Sequence, residues 1–118
     1  MPVLFVHGVS EEMTNKLEEY ADTLINTVAH SVKELNLKPS DVSCFFPKDL
    51  MSKGLGEEII IFVDGLFIKP ERTKEVRDRL ATAVVQTTYE YFMDANLIEC
   101  FIRPFDPKQG FKSFHKTK

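Results

Sequence analysis

The sequence predicts an α+β fold of two layers, in which a four-stranded mixed sheet carries two helices on one face. The first observation is an internal repeat, because Phe5-Val6-His7-Gly8 returns 57 residues later as Phe62-Val63-Asp64-Gly65. The second is that each half runs from a short apolar strand, through a long amphipathic stretch, to another apolar strand ended by proline. The halves are therefore two βαβ units, at residues 1–56 and 57–106, followed by a C-terminal tail at 107–118.

In the first half, an apolar strand is predicted over Val3–His7 and a second one over Val42–Phe46. Ser10 is a candidate N-cap for the helix between them, and Asn36 is a candidate left-handed terminator. The buried face of this helix is predicted from apolar residues at three- and four-residue spacing, which are Leu17, Tyr20, Ala21, Leu24, Ile25, Val28, Val32 and Leu35.

In the second half, strands are predicted over Ile59–Val63 and Ile98–Ile102. The helix between them is expected to begin near Pro70 or Thr73 and to end before Asn96. Its buried stripe consists of Val76, Leu80, Val84, Thr87 and Tyr91.

The four strands are apolar on both of their alternating faces. Two helices can cover only one face of such a sheet, so the other face would leave large apolar side chains in water. The sequence therefore predicts a homo-oligomer whose sheets face one another.

The size and composition of the chain narrow its class. At 118 residues and 13.6 kDa there is room for one core, so a single domain is expected over residues 1–118. The longest apolar run, Ile59–Val63, has the length of a strand, and no secretory signal pattern opens the chain. We expect a cytoplasmic protein with no membrane partner.

Charge is distributed unevenly along the chain. The net charge is −3, but residues 107–118 hold four lysines and no acid, which leaves 11 bases and 18 acids in residues 1–106. An acidic body argues against a nucleic-acid partner. The tail also carries Phe111 and Phe114 among its bases, and we expect it to fold onto a neighbouring subunit.

The residue types that commonly bind metals or act as nucleophiles do not form a recognisable motif. Cys44 and Cys100 lie among strand formers and are predicted to be buried packing residues. His7, His30 and His115 show no metal-ligand spacing, and His7 is expected to be structural. There is no glycine-rich phosphate loop, so no metal and no cofactor is implied.

A family resemblance rests on four short features. The chain opens with Met1-Pro2 running directly into a strand, and Lys38-Pro39 precedes the second strand. Val63-Asp64-Gly65 ends the third strand, and Phe101-Ile102-Arg103-Pro104-Phe105-Asp106 closes the fourth. With the βαβ repeat, this pattern resembles the tautomerase superfamily, the group of macrophage migration inhibitory factor and 5-carboxymethyl-2-hydroxymuconate isomerase, and in particular an uncharacterised bacterial branch of it.

The resemblance implies an activity and an assembly. Pro2, freed of Met1, would be the general base of a keto–enol tautomerase or isomerase that acts on a small carbonyl acid. The candidate substrate-binding residues are Lys38, Asp64, Arg103 and Phe105. The resemblance also implies a homotrimer in which the pocket lies between subunits.

The repeat itself predicts where the polar candidates meet. If the two βαβ units are related by a pseudo-twofold axis, the starts of strands one and two share a sheet edge with the ends of strands three and four. Pro2, Lys38, Asp64 and Arg103 then converge on that edge, where the two cations could bind a carboxylate or polarise a carbonyl. Alternatively, Lys38 is a solvated base at a helix end, Asp64 closes a turn before Gly65, and Arg103 pairs with Asp64 or Asp106.

Two other functional classes fit the same order of elements. A ferredoxin-like domain, which could bind a metal, a ligand or RNA, would place another strand between strands one and two, whereas a tautomerase places these two strands side by side. A tautomerase fold could also serve as a non-catalytic ligand-binding or assembly protein, since a fold alone does not confer activity.

Overall fold

The computed structural model describes residues 2–9 and 14–116, which form four strands and two long helices. Their order along the chain is β1 (Val3–His7), α1 (Thr14–His30), β2 (Ser43–Phe45), β3 (Glu58–Phe67), α2 (Lys74–Tyr91) and β4 (Leu97–Phe105). Short 3-10 turns lie at Lys33–Leu35, Pro39–Asp41 and Pro107–Gln109. Among the described residues, neither helix is long and apolar enough to span a bilayer.

The sheet has the strand order β2-β1-β3-β4. Pairing is parallel between β1 and β2 and between β3 and β4, while β1 and β3 are antiparallel neighbours at the centre. The predicted mixed sheet of two βαβ units is thereby confirmed. Because β1 lies directly beside β2, the ferredoxin-like alternative is wrong.

The core fills the space between the sheet and the two helices. Alternate residues of the central strands point into it, as the period of two in a strand requires. All of its largest side chains are buried, among them Leu4, Val6, Tyr20, Leu24, Ile61, Val63, Leu80 and Val84. The predicted apolar stripes therefore face the sheet, although in α2 the fully buried position is Thr88 while Thr87 is half-buried.

The end of the first helix differs from the prediction. The apolar stripe extends to Leu35, but α1 ends at His30 and the chain makes a separate 3-10 turn over Lys33–Leu35. Leu35 remains buried because this turn folds back onto the core. Asn36 adopts the predicted left-handed conformation with φ 51°, as the cap of the 3-10 turn. The predicted N-cap Ser10 lies outside the described residues.

Strand β3 runs further than predicted. The expectation that Asp64 closes a turn before Gly65 is wrong, since β3 continues to Phe67 through a bulge between Asp64 and Leu66. Gly65 has φ 74°, a value that side-chain-bearing residues rarely adopt, and it absorbs the extra residue of the bulge. The strand keeps pairing with β4 beyond the bulge, so Phe67 lies beside Phe105.

The loop between β3 and α2 ties the two halves together. Thr73 is the N-cap of α2, and its hydroxyl accepts the N–H of Val76 at 3.3 Å. Next to it, the buried Arg72 guanidinium donates to the carbonyl oxygens of Phe67 and Leu35, each at 2.9 Å. Burial lowers the pKa of Arg72, and its Nε has no hydrogen-bond partner among the described residues. A single cation thus joins backbone groups of both βαβ units.

Helices α1 and α2 are joined by hydroxyl groups as well as by apolar packing. The Tyr20 hydroxyl lies 2.7 Å from that of Thr88, and burial keeps the pKa of Tyr20 above its usual range. Further along, the hydroxyl pairs Thr23–Tyr91 and Thr27–Thr87 are 2.9 and 3.1 Å apart. The Tyr20 ring also contacts the rings of Phe46, Tyr91 and Phe92.

The sheet face turned away from the helices, here called the open face, carries aromatic rings that the described residues leave partly exposed. Two ring stacks cross it, Phe5 on Phe45 with centroids 5.8 Å apart and Phe62 on Phe101 at 5.5 Å. Phe45 is 55% exposed and Phe101 47% exposed. The prediction that the second face carries large apolar side chains is confirmed.

Candidate active site

Pro2 lies at one edge of the sheet, immediately before β1. It is buried, and its carbonyl oxygen accepts the N–H of Ser43 at 3.3 Å, which brings the start of β2 to the same edge. The next residue, Val3, is in register with Asp64 of β3, and Asp64 is in register with Arg103 of β4. The sheet therefore brings Pro2, Asp64 and Arg103 to one edge, as the repeat predicts.

Arg103 forms an ion pair with Asp64 through both arms of its guanidinium. Nη2 donates to Oδ2 at 2.6 Å and Nε donates to Oδ1. The hydrogen bonds to Asp64 raise the pKa of Arg103. The guanidinium carbon also lies 4.2 Å from the centroid of the Phe62 ring, in a cation–π contact. Of the partners considered for Arg103, the structure shows Asp64, while Asp106 caps the following turn by accepting the N–H of Lys108.

Lys38 lies in the segment that leads into β2. It is exposed and precedes the 3-10 turn Pro39–Asp41 that leads into β2. Its backbone N–H donates to the Asp41 carboxylate at 3.0 Å, which fixes the start of the turn. Both carboxylate oxygens of Asp64 accept from Arg103.

Phe105 belongs to an aromatic cluster at the end of β4. Its ring centroid lies 6.4 Å from that of Phe67 and 6.5 Å from that of Phe111, and the latter two rings are 4.9 Å apart. Sequence reasoning missed Phe67, because β3 was expected to end at Val63. It also assigned Phe111 to a neighbouring subunit, whereas this ring packs on its own chain.

His7 lies at the opposite edge, where β1 ends. Its Nδ1 is 3.0 Å from Oδ1 of Asp49, and Oδ2 of the same carboxylate accepts the N–H of Gly8 at 2.9 Å. His7 thus has a hydrogen-bond partner in the segment that joins the two halves, as expected for a structural histidine. Sequence reasoning missed Asp49, since nothing local distinguishes it from a solvated acid.

The Asp49 contacts predict a pH-dependent stability. The hydrogen bonds from His7 and Gly8 lower the pKa of Asp49 in the folded chain. Because the pKa of Asp49 is lower in the folded chain than in the unfolded chain, its ionised carboxylate stabilises the fold at pH values above the unfolded pKa near 4. This stabilisation is lost as the pH falls below that value. We expect Asp49→Asn to lower the free energy of unfolding by up to about 1 kcal/mol at pH 7, as for other exposed pairs, and to have less effect near pH 3.

The measurement is urea denaturation of wild type and variant at several pH values. Asp78→Asn is the matched control, because Asp78 pairs with Lys74 within a single helix and holds no backbone segment. If the free energies of unfolding of wild type and Asp49→Asn differ by the same amount at pH 3 and at pH 7, the prediction is contradicted.

The two cysteines are suited to packing and not to nucleophilic chemistry. Both lie on the helix-facing side of the sheet, against the core. Burial raises the pKa of Cys44 and of Cys100 to about 12, so both stay protonated at neutral pH. In the described part of the chain, no group of three or more His, Cys, Asp or Glu side chains could hold a metal ion.

Two clefts formed by the described residues lie away from Pro2. One, of 160 Å³, is at the His7 edge, between Gly8, Ile59 and the residues that follow α2. The other, of 450 Å³, is a groove between α2 and β4. Neither is lined by Pro2 or by the four candidate substrate-binding residues.

The chain is similar to known proteins in its structure, while its sequence identity to them is low. Neither a family model nor a curated protein matches the sequence. A member of the cis-3-chloroacrylic acid dehalogenase family has a TM-score of 0.70 at 11% identity, covering 93% of this chain and 79% of that one. A domain of unknown function from Sebaldella termitidis has a TM-score of 0.68 at 16% identity, covering 95% of each chain.

A third solved structure, a fused 4-OT described as a symmetric trimer, has a TM-score of 0.65 at 17% identity, covering 90% of this chain and 87% of that one. Identities this low establish the fold only. The resemblance predicted from the sequence is confirmed at that level, and the chain has the fold of the tautomerase superfamily.

Proposed function

We propose that the protein is a tautomerase or isomerase of a small carbonyl acid and that Pro2, with Met1 removed, is its general base. The observation that carries the proposal is the position of Pro2. On a tautomerase fold, a buried proline immediately precedes Val3, the β1 residue that is in register with Asp64 of the Asp64–Arg103 pair. The proposal needs no metal and no cofactor.

The chemistry of a terminal proline suits this edge. An unperturbed terminal amine titrates near 7.7–8.0, and burial and nearby cations both disfavour its protonated form. Pro2 is buried in the chain that still carries Met1. Asp64 balances the charge of Arg103, so in this proposal Lys38 would supply the positive charge that lowers the pKa of the amine. A neutral secondary amine near pH 7 can remove a proton α to a carbonyl and return it to another atom of the substrate.

The cations would anchor the substrate. A guanidinium binds a carboxylate through two parallel hydrogen bonds, the arrangement that Arg103 now makes with Asp64. We assign to Asp64 the role of holding the fork of Arg103 at the site until a substrate carboxylate competes for it. Lys38 would stabilise the negative charge that develops on the enolate oxygen, and Phe105 would form an apolar wall.

We further propose that the active form is a homotrimer whose pocket lies between subunits. We also propose that this trimer is located in the cytoplasm. The two clefts described above are lined by other residues, and a pocket completed by a second chain would be consistent with this. The open face, with Phe45 and Phe101 about half exposed, provides an apolar surface for association. The 4-OT of similar fold is described as a symmetric trimer.

The test is turnover of enol acids, with phenylenolpyruvate and 2-hydroxymuconate as the first substrates. Intact mass should first establish that Pro2 is the terminal residue. The matched control is a chain extended by one alanine before Pro2, in which the proline nitrogen is an amide and cannot act as a base. Turnover by the first protein and none by the second is expected. No turnover by either would favour a non-catalytic ligand-binding or assembly protein on the same fold.

Arg103→Ala should weaken the binding of carboxylate substrates. Losing a charge-assisted hydrogen-bonded pair removes about 1.5–3 kcal/mol, so KM should rise by about 10- to 100-fold with a smaller change in kcat. Arg79→Ala is the control, because Arg79 also pairs with a carboxylate, that of Glu34, but lies on the helical side. Equal kinetic constants for wild type and Arg103→Ala would remove Arg103 from the site.

A further inference from the structure

The internal repeat relates the 160 Å³ cleft at the His7 edge to the site of the buried Arg72. Between β1 and β3 the repeat carries Gly8 onto Gly65, and both glycines have a positive φ, of 92° and 74°. Between α1 and α2 it carries three buried residues onto three buried residues, which are Tyr20, Leu24 and Val28 onto Val76, Leu80 and Val84. Lys16 lies four residues before the first of these in α1, and Arg72 lies four residues before the first in α2. Lys16, which lines the cleft, is therefore the counterpart of Arg72.

The two sites differ in what fills them. Arg72 is only 7% exposed, and its guanidinium donates to the carbonyl oxygens of Leu35 and Phe67, each at 2.9 Å. Lys16 is exposed, and beside it the chain leaves a cleft. A cavity of about 150 Å³ can hold one benzene molecule. The cleft thus has room for a group of guanidinium size, at the position that corresponds to a guanidinium in the other repeat.

The charges at the cleft favour a cation. Glu57, just before β3, and Asp94, just after α2, line it with exposed side chains. Together with Lys16, the ionised side chains that line the cleft sum to a charge of −1. A guanidinium makes paired hydrogen bonds to a carboxylate, whereas an ammonium acts as a point charge without this geometry. The two carboxylates therefore favour a guanidinium over a simple amine.

We propose that the cleft at the His7 edge binds a small molecule that carries a guanidinium group. The guanidinium would occupy the position that corresponds to the Arg72 side chain and would donate to Glu57 and Asp94. The inference is independent of the proposed catalysis. The cleft lies at the edge opposite to Pro2, and the described residues that line it include none of the candidate active-site residues.

A titration followed by ¹H–¹⁵N NMR tests the proposal on the full-length protein. The probe is propylguanidinium, which is the side chain of arginine without its backbone, and the matched comparison is propylammonium. We expect saturable shifts of the Gly8 and Ala95 amides, both of which line the cleft. The Kd of propylguanidinium should be at least about tenfold lower than that of propylammonium. Equal or weaker binding of propylguanidinium, or shifts that leave both amides unmoved, would overturn the proposal.

A blocked Gly-Arg-Gly peptide separates a free small molecule from an arginine of a partner protein. Both sources carry the same guanidinium, but the peptide adds backbone on either side of it. We expect the peptide to bind more weakly than propylguanidinium, because the cleft is small. Tighter binding of the peptide would assign the cleft to a protein partner and would overturn the small-molecule proposal.

Two pairs of variants complete the test, and each variant's NMR spectrum shows whether it is folded. Asp94→Asn should weaken propylguanidinium binding by at least about tenfold. Asp78→Asn should leave it unchanged, because Asp78 pairs with Lys74 within α2 and does not line the cleft.

Lys16→Arg should also weaken binding by at least about tenfold, because it places a guanidinium in the cleft as Arg72 does at the other edge. Lys16→Met is its control and should not weaken binding, since it removes a like charge and adds no guanidinium. An unchanged Kd in Asp94→Asn or in Lys16→Arg would overturn the proposal. Turnover is not measured, so either result leaves the proposed catalysis to its own test.

Discussion

Pro2→Ala is expected to lower kcat/KM for an enol acid by at least about 100-fold, the lower end of what a positioned general base contributes. The substitution leaves a terminal amine but removes the ring that fixes its direction. Pro2 is buried and its carbonyl is bound by Ser43, so the ring nitrogen is held at the sheet edge. The amine of an N-terminal alanine is not held by a ring and can rotate. A smaller fraction of the protein molecules would then hold the nitrogen in line with the substrate.

The pH dependence of kcat/KM provides the second readout. The base must be neutral, so kcat/KM should fall as the pH drops through the pKa of the free Pro2 amine. In Pro2→Ala, this fall in kcat/KM should occur at a different pH. Pro70→Ala, in the exposed loop before α2, is the control and should keep wild-type kinetics. If Pro2→Ala has the kcat/KM and pH profile of the wild type, Pro2 is not the base.

Tyr20→Ala is expected to lower the free energy of unfolding by about 3–5 kcal/mol, the range for deleting a large buried ring. Tyr20 is fully buried, and its ring touches Phe46, Tyr91 and Phe92. Tyr20→Phe should cost only about 1 kcal/mol, because it keeps this packing and removes one hydrogen bond. The Thr88 hydroxyl would still donate to the Val84 carbonyl at 2.8 Å, so no donor would be stranded.

Both values can be measured by urea denaturation at a fixed protein concentration. Leu50→Ala is the control, since Leu50 is fully exposed and its truncation should change stability by less than about 0.5 kcal/mol. Equal losses in Tyr20→Ala and Tyr20→Phe would mean that the hydroxyl pair dominates and that the ring packing contributes little.

Much of the fold could be predicted because duplication constrains topology. The offset between Phe5-Val6-His7-Gly8 and its second copy implies a pseudo-twofold axis, and that axis brings the ends of β3 and β4 to the Pro2 edge. The convergence of Pro2, Asp64 and Arg103 follows from strand directions alone. These directions do not depend on the details of any side chain.

The side-chain partners could not be predicted in the same way. Whether Arg103 meets Asp64 depends on strand register, and a shift of one residue would turn the two groups to opposite faces. The bulge at Gly65 could not be told from a turn, since glycine suits both. Asp49 reaches His7 from 42 residues away, through a segment whose sequence carries no periodic pattern.

The Arg72 bridge has a consequence for how the duplicated chain unfolds. Its guanidinium needs Leu35 from the first repeat and Phe67 from the second at the same time. If one repeat opened alone, a buried cation would lose an acceptor without gaining a counterion. The antiparallel β1–β3 pairing at the centre of the sheet would also be lost, leaving backbone groups of the remaining strand unpaired. We therefore expect the two βαβ units to unfold together, as one cooperative foldon.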